Sequence, residues 1–293
     1  MSGRRIAGLL LRLGVTVGAI ALAFSQVPAA GVVPLLRQMH WLPLLLGLAL
    51  LHAAQILSAL RTRYYLSTKA ISMPIAPSLR LHYVGGLFNA LLPGGTGGDA
   101  YKAWWVQKYH SGSFLNMAVL MVAGRVNGLW ALGVLTCALA LASGAISALH
   151  AQMAALLLAV MFAGTVSYHA LARVALREPL AHQYRAGVYS FALQAVTIGC
   201  AFALGAGLQL GDHTLEYVVL FMLSCVLAML PISIGGIGVR ELALLHGSSW
   251  LGLEPQQGVA LALSFSLINL SIPLVGAVVY LRWHPTPVKA QAA

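Results

Sequence analysis

The sequence holds only six acidic residues: Asp99, Glu178, Asp212, Glu216, Glu241 and Glu254. Four read as loop residues, but Asp99 and Glu241 lie in apolar surroundings beside glycine-rich breaks. Asp99 closes the run Asn89-Ala-Leu-Leu-Pro-Gly-Gly-Thr-Gly-Gly-Asp99 and is followed by Lys102. Glu241 closes Pro231-Ile-Ser-Ile-Gly-Gly-Ile-Gly-Val-Arg-Glu241. A third misplaced charge, Arg125, stands with Asn127 inside Met-Val-Ala-Gly-Arg-Val-Asn-Gly-Leu-Trp. A charge at the centre of a bilayer costs about 2.5–3.5 kcal/mol on insertion scales, so such a residue faces a partner or a cavity. Neighbours on a helix point about 100° apart, so Arg240 and Glu241 do not pair with each other. The candidate partners are Asp99 for Arg240, and Arg125 or Lys102 for Glu241.

Two readings of these charges stand side by side. One is a buried ion-pair network that fixes helix register. The other is a polar cavity for an anionic head group. Arginine suits phosphate because its planar fork donates two parallel hydrogen bonds. A helix restarting after glycines also offers free N–H groups to an anion. The candidate binding residues are Asn89, Asp99, Lys102, Arg125, Arg240 and Glu241. The candidate breaks and hinges are Pro93, Gly94, Gly95, Gly97 and Gly98 in the first run. In the second they are Pro231, Ser233, Gly235, Gly236 and Gly238. Asn89 and Asn269 also read as hydrogen-bond partners between helices.

Other chemistries find little support. Gly94–Gly98 lacks the Gly-Lys-Ser/Thr ending of a phosphate-binding loop. The ten histidines never fall at i, i+4, so a two-histidine helical metal site is not expected. There is no Gly-x-Ser-x-Gly nucleophile elbow and no ATPase motif. No cofactor and no catalytic residue are therefore assigned. Cys137, Cys200 and Cys225 read as buried free thiols. Tyr101, Trp104 and Trp105, with Lys102 and Lys108, read as an interfacial anchor.

The elements that must position these charges belong to a membrane protein. Of 293 residues, 60% are hydrophobic and 8% charged, and mean hydropathy is +0.86. A soluble domain carries about 25% charged residues. The net charge of +11 flanks apolar segments and makes no basic–aromatic patch, so nucleic-acid binding is not expected. The expected fold is an all-α integral membrane bundle, one domain over 1–293. Full spans are expected at 6–26, 41–60, 115–142, 151–172, 186–209 and 257–281, each near the ~20 residues of a crossing. The first, following Arg4 and Arg5, reads as an uncleaved helix. Two further apolar regions, 81–108 and 217–249, have Gly/Pro-rich centres and read as re-entrant or paired elements. The stretch 61–80, with Pro74 and Pro77, reads as an elbow or amphipathic segment.

Arg4, Arg5, the connection with Arg61, Arg63, Lys69 and Arg80, the connection with Arg173, Arg177 and Arg185, and the terminal Arg282 and Lys289 place both termini in the cytoplasm. The opposite loops are poor in positive charge. Counting crossings, 81–108 enters and leaves on one face and 217–249 on the other. Both centres share Leu-Pro, then Gly-Gly-x-Gly, then charge. Similar broken elements of opposite topology suggest an inverted repeat with a site where they meet.

At these residues the sequence resembles a known family. Pro231–Glu241 looks like the C-terminal signature of the lysylphosphatidylglycerol synthase transmembrane-region family. Asn89–Asp99 with Lys102 resembles its first signature, and Arg125 its intramembrane arginine. The resemblance covers nearly the whole chain. Its members include the flippase portion of bacterial multiple-peptide-resistance proteins, and stand-alone proteins linked to other lipids. Lys102 stands where arginine is usual, and Gly124 where an acid is common, which bears on head-group preference. With little sequence beyond the last span, the soluble aminoacyltransferase domain is expected to be absent.

The resemblance implies a translocase of the bacterial inner membrane, passive or ion-coupled, carrying an anionic-head-group lipid. Arg125, Arg240 and Lys102 would contact phosphate, and Asp99 and Glu241 would balance those charges or select a cationic substituent. The alternatives are a membrane-embedded lipid-modifying enzyme, with Asp99 and Glu241 as acid and base, or a scaffold for one. A homodimer and a lipid-modifying enzyme are the protein partners considered.

Overall fold

Lipid offers the backbone no hydrogen bonds, so a chain this apolar must satisfy its own, and helices do so within one segment. The computed structural model describes residues 29–91, 96–110, 113–143, 151–174, 179–229 and 236–283, and the regular elements among them are all helical. In order they are α1 (Ala29–Arg37), α2 (Trp41–Ser67), α3 (Ile75–Leu91), α4 (Gly97–Tyr109), α5 (Phe114–Ala142) and α6 (Ala151–Val174). Then follow α7 (Leu180–Gly207), a 3-10 turn at Gly211–His213, α8 (Thr214–Ala228), α9 (Val239–Trp250), α10 (Pro255–Asn269) and α11 (Ser271–Arg282).

Six of these segments are long and apolar enough to cross a membrane: Trp41–Ser67, Phe114–Ala142, Gln152–Val174, Leu180–Gly207, Gly211–Ala228 and Pro255–Arg282. This is a multi-pass membrane protein. Five of the expected spans are recovered; the one at 6–26 lies outside the described residues. The span Pro255–Arg282 is jointed at Leu270. Pro273, in the first turn of α11, cannot donate the backbone bond that would carry α10 straight through.

Three local expectations need correction. Residues 29–37, between the first two expected spans, form α1, which packs on α10 and buries Val32. Arg61 and Arg63, read as loop charges, stand inside α2, which runs seven residues beyond the expected end at 60, to Ser67. Arg63 Nε then donates to the Met73 carbonyl at 2.7 Å, closing the short connection to α3. Glu216 is no loop residue either: it is buried in the first turn of α8.

The two interrupted regions are broken pairs, α3–α4 and α8–α9. At about 1.5 Å per residue, α4 and α9 fall well short of a ~30 Å hydrocarbon core. The arms α3 and α4 pack together, as do α8 and α9. Long α2 and α7 form the most extensive pairing at the centre. One apolar core gathers Leu204, Phe221, Leu244 and Leu261 from α7 to α10. A second surrounds Tyr65, Trp105 and Met117 where α2, α4 and α5 meet. Helix α6 is the most peripheral, turning Leu156, Val160, Phe162 and Val166 outward as a lipid-facing helix would.

Candidate functional site

The site is built from the restart of α4. After the break, Gly97 and Gly98 open the helix and Asp99 falls in its first turn, where the helix dipole favours a carboxylate. The break tolerates no larger residue at Gly98, because a Cβ there would collide with the Gly85 backbone of α3. Asn89, near the end of α3, accepts the Gly98 N–H on its Oδ1 at 2.8 Å. That bond satisfies a donor with no intrahelical partner, so Asn89 joins the two arms as well as lining the space beside them.

Asp99 collects two cations. Lys102 Nζ, one turn along α4, lies 3.3 Å from Oδ1. Arg125, from the middle of α5, donates through Nε to Oδ2. These groups line a cavity of about 200 Å³, with Arg61 and His82 among its other walls. Its lining carries three cations, Arg61, Lys102 and Arg125, against the carboxylate of Asp99. A second cavity, of about 270 Å³, continues between α2, α5, α7 and α10 past Gln194, Thr197, Phe265 and Asn269. Gln55, Ser58, Arg61 and Arg125 belong to the walls of both.

The second break is built differently. Gly236 (φ +80°) and Gly238 (φ +87°) take left-handed backbone conformations that side chains disfavour, and α9 restarts at Val239. Glu241, 1% exposed, accepts the Gly238 N–H on Oε2 at 2.5 Å and the Ser266 hydroxyl on Oε1 at 2.8 Å. It caps its own helix and holds α10. Arg240, 5% exposed, lies over the rings of Phe265 and Phe221, 4.7 and 5.8 Å from their centroids. Among the described residues its Nε and Nη1 have no hydrogen-bond partner.

The structure therefore brings Asn89, Asp99, Lys102 and Arg125 together and sets Arg240 and Glu241 apart from them. The expected pairings of Arg240 with Asp99, and of Glu241 with Arg125 or Lys102, do not form, because each acid is satisfied closer at hand. Arg240 lies over Phe265, which lines the second cavity. Pro93, Gly94, Gly95, Pro231, Ser233 and Gly235 lie outside the described residues.

The aromatic anchor also divides. Trp104 is exposed and Lys108 Nζ sits 5.0 Å from its ring centroid, as an interfacial pair would. Trp105 is instead buried and stacked on Trp283 with centroids 5.0 Å apart, and Lys102 belongs to the cavity. The cysteines are free; Cys137 and Cys200 are buried, whereas Cys225 is half-buried. Among the described residues no group of His, Cys, Asp and Glu could hold a metal ion.

Motif reading missed the wall that α2 contributes. Gln55, Ser58, Arg61 and Thr62, and Tyr65 recur at helical spacing and all line the first cavity. His82 Nε2 meets the Gln55 Oε1 at 3.0 Å across it. The signal was present as a polar stripe along an apolar helix, hidden because the span was ended at its first arginine.

No curated protein matches the chain. The model of one family, described as the lysylphosphatidylglycerol synthase TM region, matches residues 9–277. Broken hairpins, the paired charges at the first glycine-rich run and the match over nearly all of its length agree: this chain belongs to the lysylphosphatidylglycerol synthase transmembrane-region family.

Proposed function

We propose that the protein translocates a lipid with an anionic head group across the bacterial inner membrane and performs no covalent chemistry on it. The observation that carries this is the cavity where α2, α3, α4 and α5 meet. Three cations and one carboxylate face a space inside a bundle whose outer surface is apolar. Asp99 closes on Lys102 and Arg125, but Arg61 stands outside those ion pairs and a cavity remains among the four side chains. A phosphate there can share Arg125 and Lys102 with Asp99, which keeps both cations compensated when the site is empty. The acyl chains stay in the bilayer while the head group passes from the first cavity to the second.

The packing supports two opposed hairpins flanking that route. Helix α3 lies against α11, and α8 lies against α5, so each hairpin leans on the final span of the other half. An inverted repeat predicts that exchange. The broken arms and their glycines supply the hinge for alternate opening.

The test is reconstitution in vesicles of phosphatidylglycerol and phosphatidylethanolamine doped with fluorescent, nitrobenzoxadiazole-labelled phosphatidylglycerol. Bleaching by external dithionite reports exchange between leaflets. The expected result is protein-dependent exchange, abolished in Arg125→Ala. Exchange at the protein-free rate, or an Arg125→Ala variant as active as the parent, would refute the assignment.

A further inference from the structure

Arg61 differs from the other cations of the cavity. It leaves α2 opposite a glycine step on α5. A Cβ on Gly128 would stand 2.8 Å from its Nη1, and one on Gly124 3.9 Å from its Nε. The two glycines thus let the guanidinium approach the α5 backbone. Nη1 donates to Ser190 Oγ on α7 at 2.7 Å. Ser190 in turn donates to Asn127 Oδ1, and Asn127 Nδ2 to the Tyr168 hydroxyl. This chain anchors one edge of Arg61 across three helices. Its Nε is buried and has no hydrogen-bond partner among the described residues. Among the described residues Arg61 has no ion pair, since the pairs of Asp99 are with Lys102 and Arg125.

A half-buried guanidinium held outside any ion pair is costly, yet this one is braced where the two cavities adjoin. An anion moving between the cavities passes it. We propose that Arg61 is the handover residue of the pathway, binding the head-group phosphate after Arg125 and presenting it to the second cavity. The proposal rests on the lipid-translocation reading and adds to it a residue and an order of contacts.

The test uses the full chain in the same vesicles, with labelled phosphatidylglycerol and, separately, labelled phosphatidylethanolamine. Arg61→Gln should lower phosphatidylglycerol exchange by about tenfold, the loss of one contact to a charged group. It should lower phosphatidylethanolamine exchange less, because the ammonium of that head group already offsets its phosphate charge, so the ratio of the two rates falls. Arg61→Lys should restore part of that ratio. Gly128→Ala pushes the flexible end of Arg61 aside while keeping its charge, and should lower the ratio too. Gly133→Ala, whose Cβ meets nothing within 4 Å, should behave as the parent.

An unchanged ratio in Arg61→Gln, with Arg125→Ala inactive, overturns the handover and leaves translocation standing. Equal loss of both lipids shows a structural role and also overturns it. If Arg61→Gln does not fold, by gel filtration and melting temperature, Gly128→Ala decides: a parental ratio overturns the proposal. A parent chain that moves neither lipid defeats the translocation reading, and the handover with it.

Discussion

At the first glycine-rich break, Asp99 is held between a lysine of its own helix and an arginine of another, on the wall of a polar cavity. At the second, Glu241 turns back onto the N-terminus of its own helix, and Arg240 lies on two phenylalanine rings. The local sequences are alike: proline, glycines, then charge. The difference lies in where each acid finds its donors. Asp99 pairs with Lys102 on α4 and with Arg125 on α5, at the wall of a cavity that a ligand can enter. Glu241 takes its donors from Gly238 and Ser266 in a buried site, which a ligand cannot enter without dismantling the cap. The first break thus presents its charges to a cavity, whereas the second ties its carboxylate into the fold.

The largest effect should therefore come from the first break, and on transport. Asp99→Asn leaves Arg125 and Lys102 without a shared carboxylate. It should cut exchange of labelled phosphatidylglycerol by at least about tenfold, with gel filtration and melting temperature near the parent because the group is partly solvated. If Asp99→Asn instead unfolds the protein and Glu241→Ala leaves it folded but inactive, the comparison is reversed.

Glu241→Ala removes two hydrogen bonds from an almost fully buried carboxylate and leaves the Gly238 N–H and the Ser266 hydroxyl unpaired. The expected cost is about 2–3 kcal/mol of stability, read as a lowered melting temperature in detergent. Residual exchange should fall in proportion to folded protein. Gly238→Ala is a milder probe of the same cap. It forces a side chain into φ +87° at a cost of about 1–2 kcal/mol, and Gly133→Ala, in open space, should cost nothing measurable.

How much of this contrast the sequence carried depends on range. Both breaks were legible, because glycine and proline act on their own stretch of backbone. The Asp99–Lys102 pair sits at i, i+3 on a restarting helix, yet Asp99 was assigned to Arg240 and Lys102 to Glu241, because the long-range pairing of two similar breaks outweighed the local one. Long apolar spans such as α5 and α7 followed from hydropathy. The partners of Arg240 and Glu241 were not legible. They depend on Phe221, Phe265 and Ser266, which come from α8 and α10 and which nothing local singles out. Arg61 was misread because a basic residue after some twenty apolar ones looks like the end of a crossing. In the folded bundle α2 is 27 residues long, and glycines of α5 accommodate that arginine in the interior. Helix α1 was missed because nine residues are too few to show a period.

The smallest effect is the most informative about the second break, because it asks whether Arg240 is there for the fold or for a ligand. Its guanidinium is buried on aromatic rings, with two nitrogens that find no partner among the described residues. Replacing a buried, poorly paired charge by an apolar side chain of similar volume is often neutral or stabilising. Arg240→Met should thus change stability by no more than about 1 kcal/mol, with the cation–π attraction lost and the desolvation penalty relieved. If exchange also stays at the parental rate, the second break only holds shape and the pathway's cations are those around the first cavity. If exchange falls while the melting temperature holds, Arg240 meets the head group through the Phe265 wall of the second cavity. The two breaks would then share one task, the first releasing a phosphate from a carboxylate's competition and the second receiving it where no acid competes.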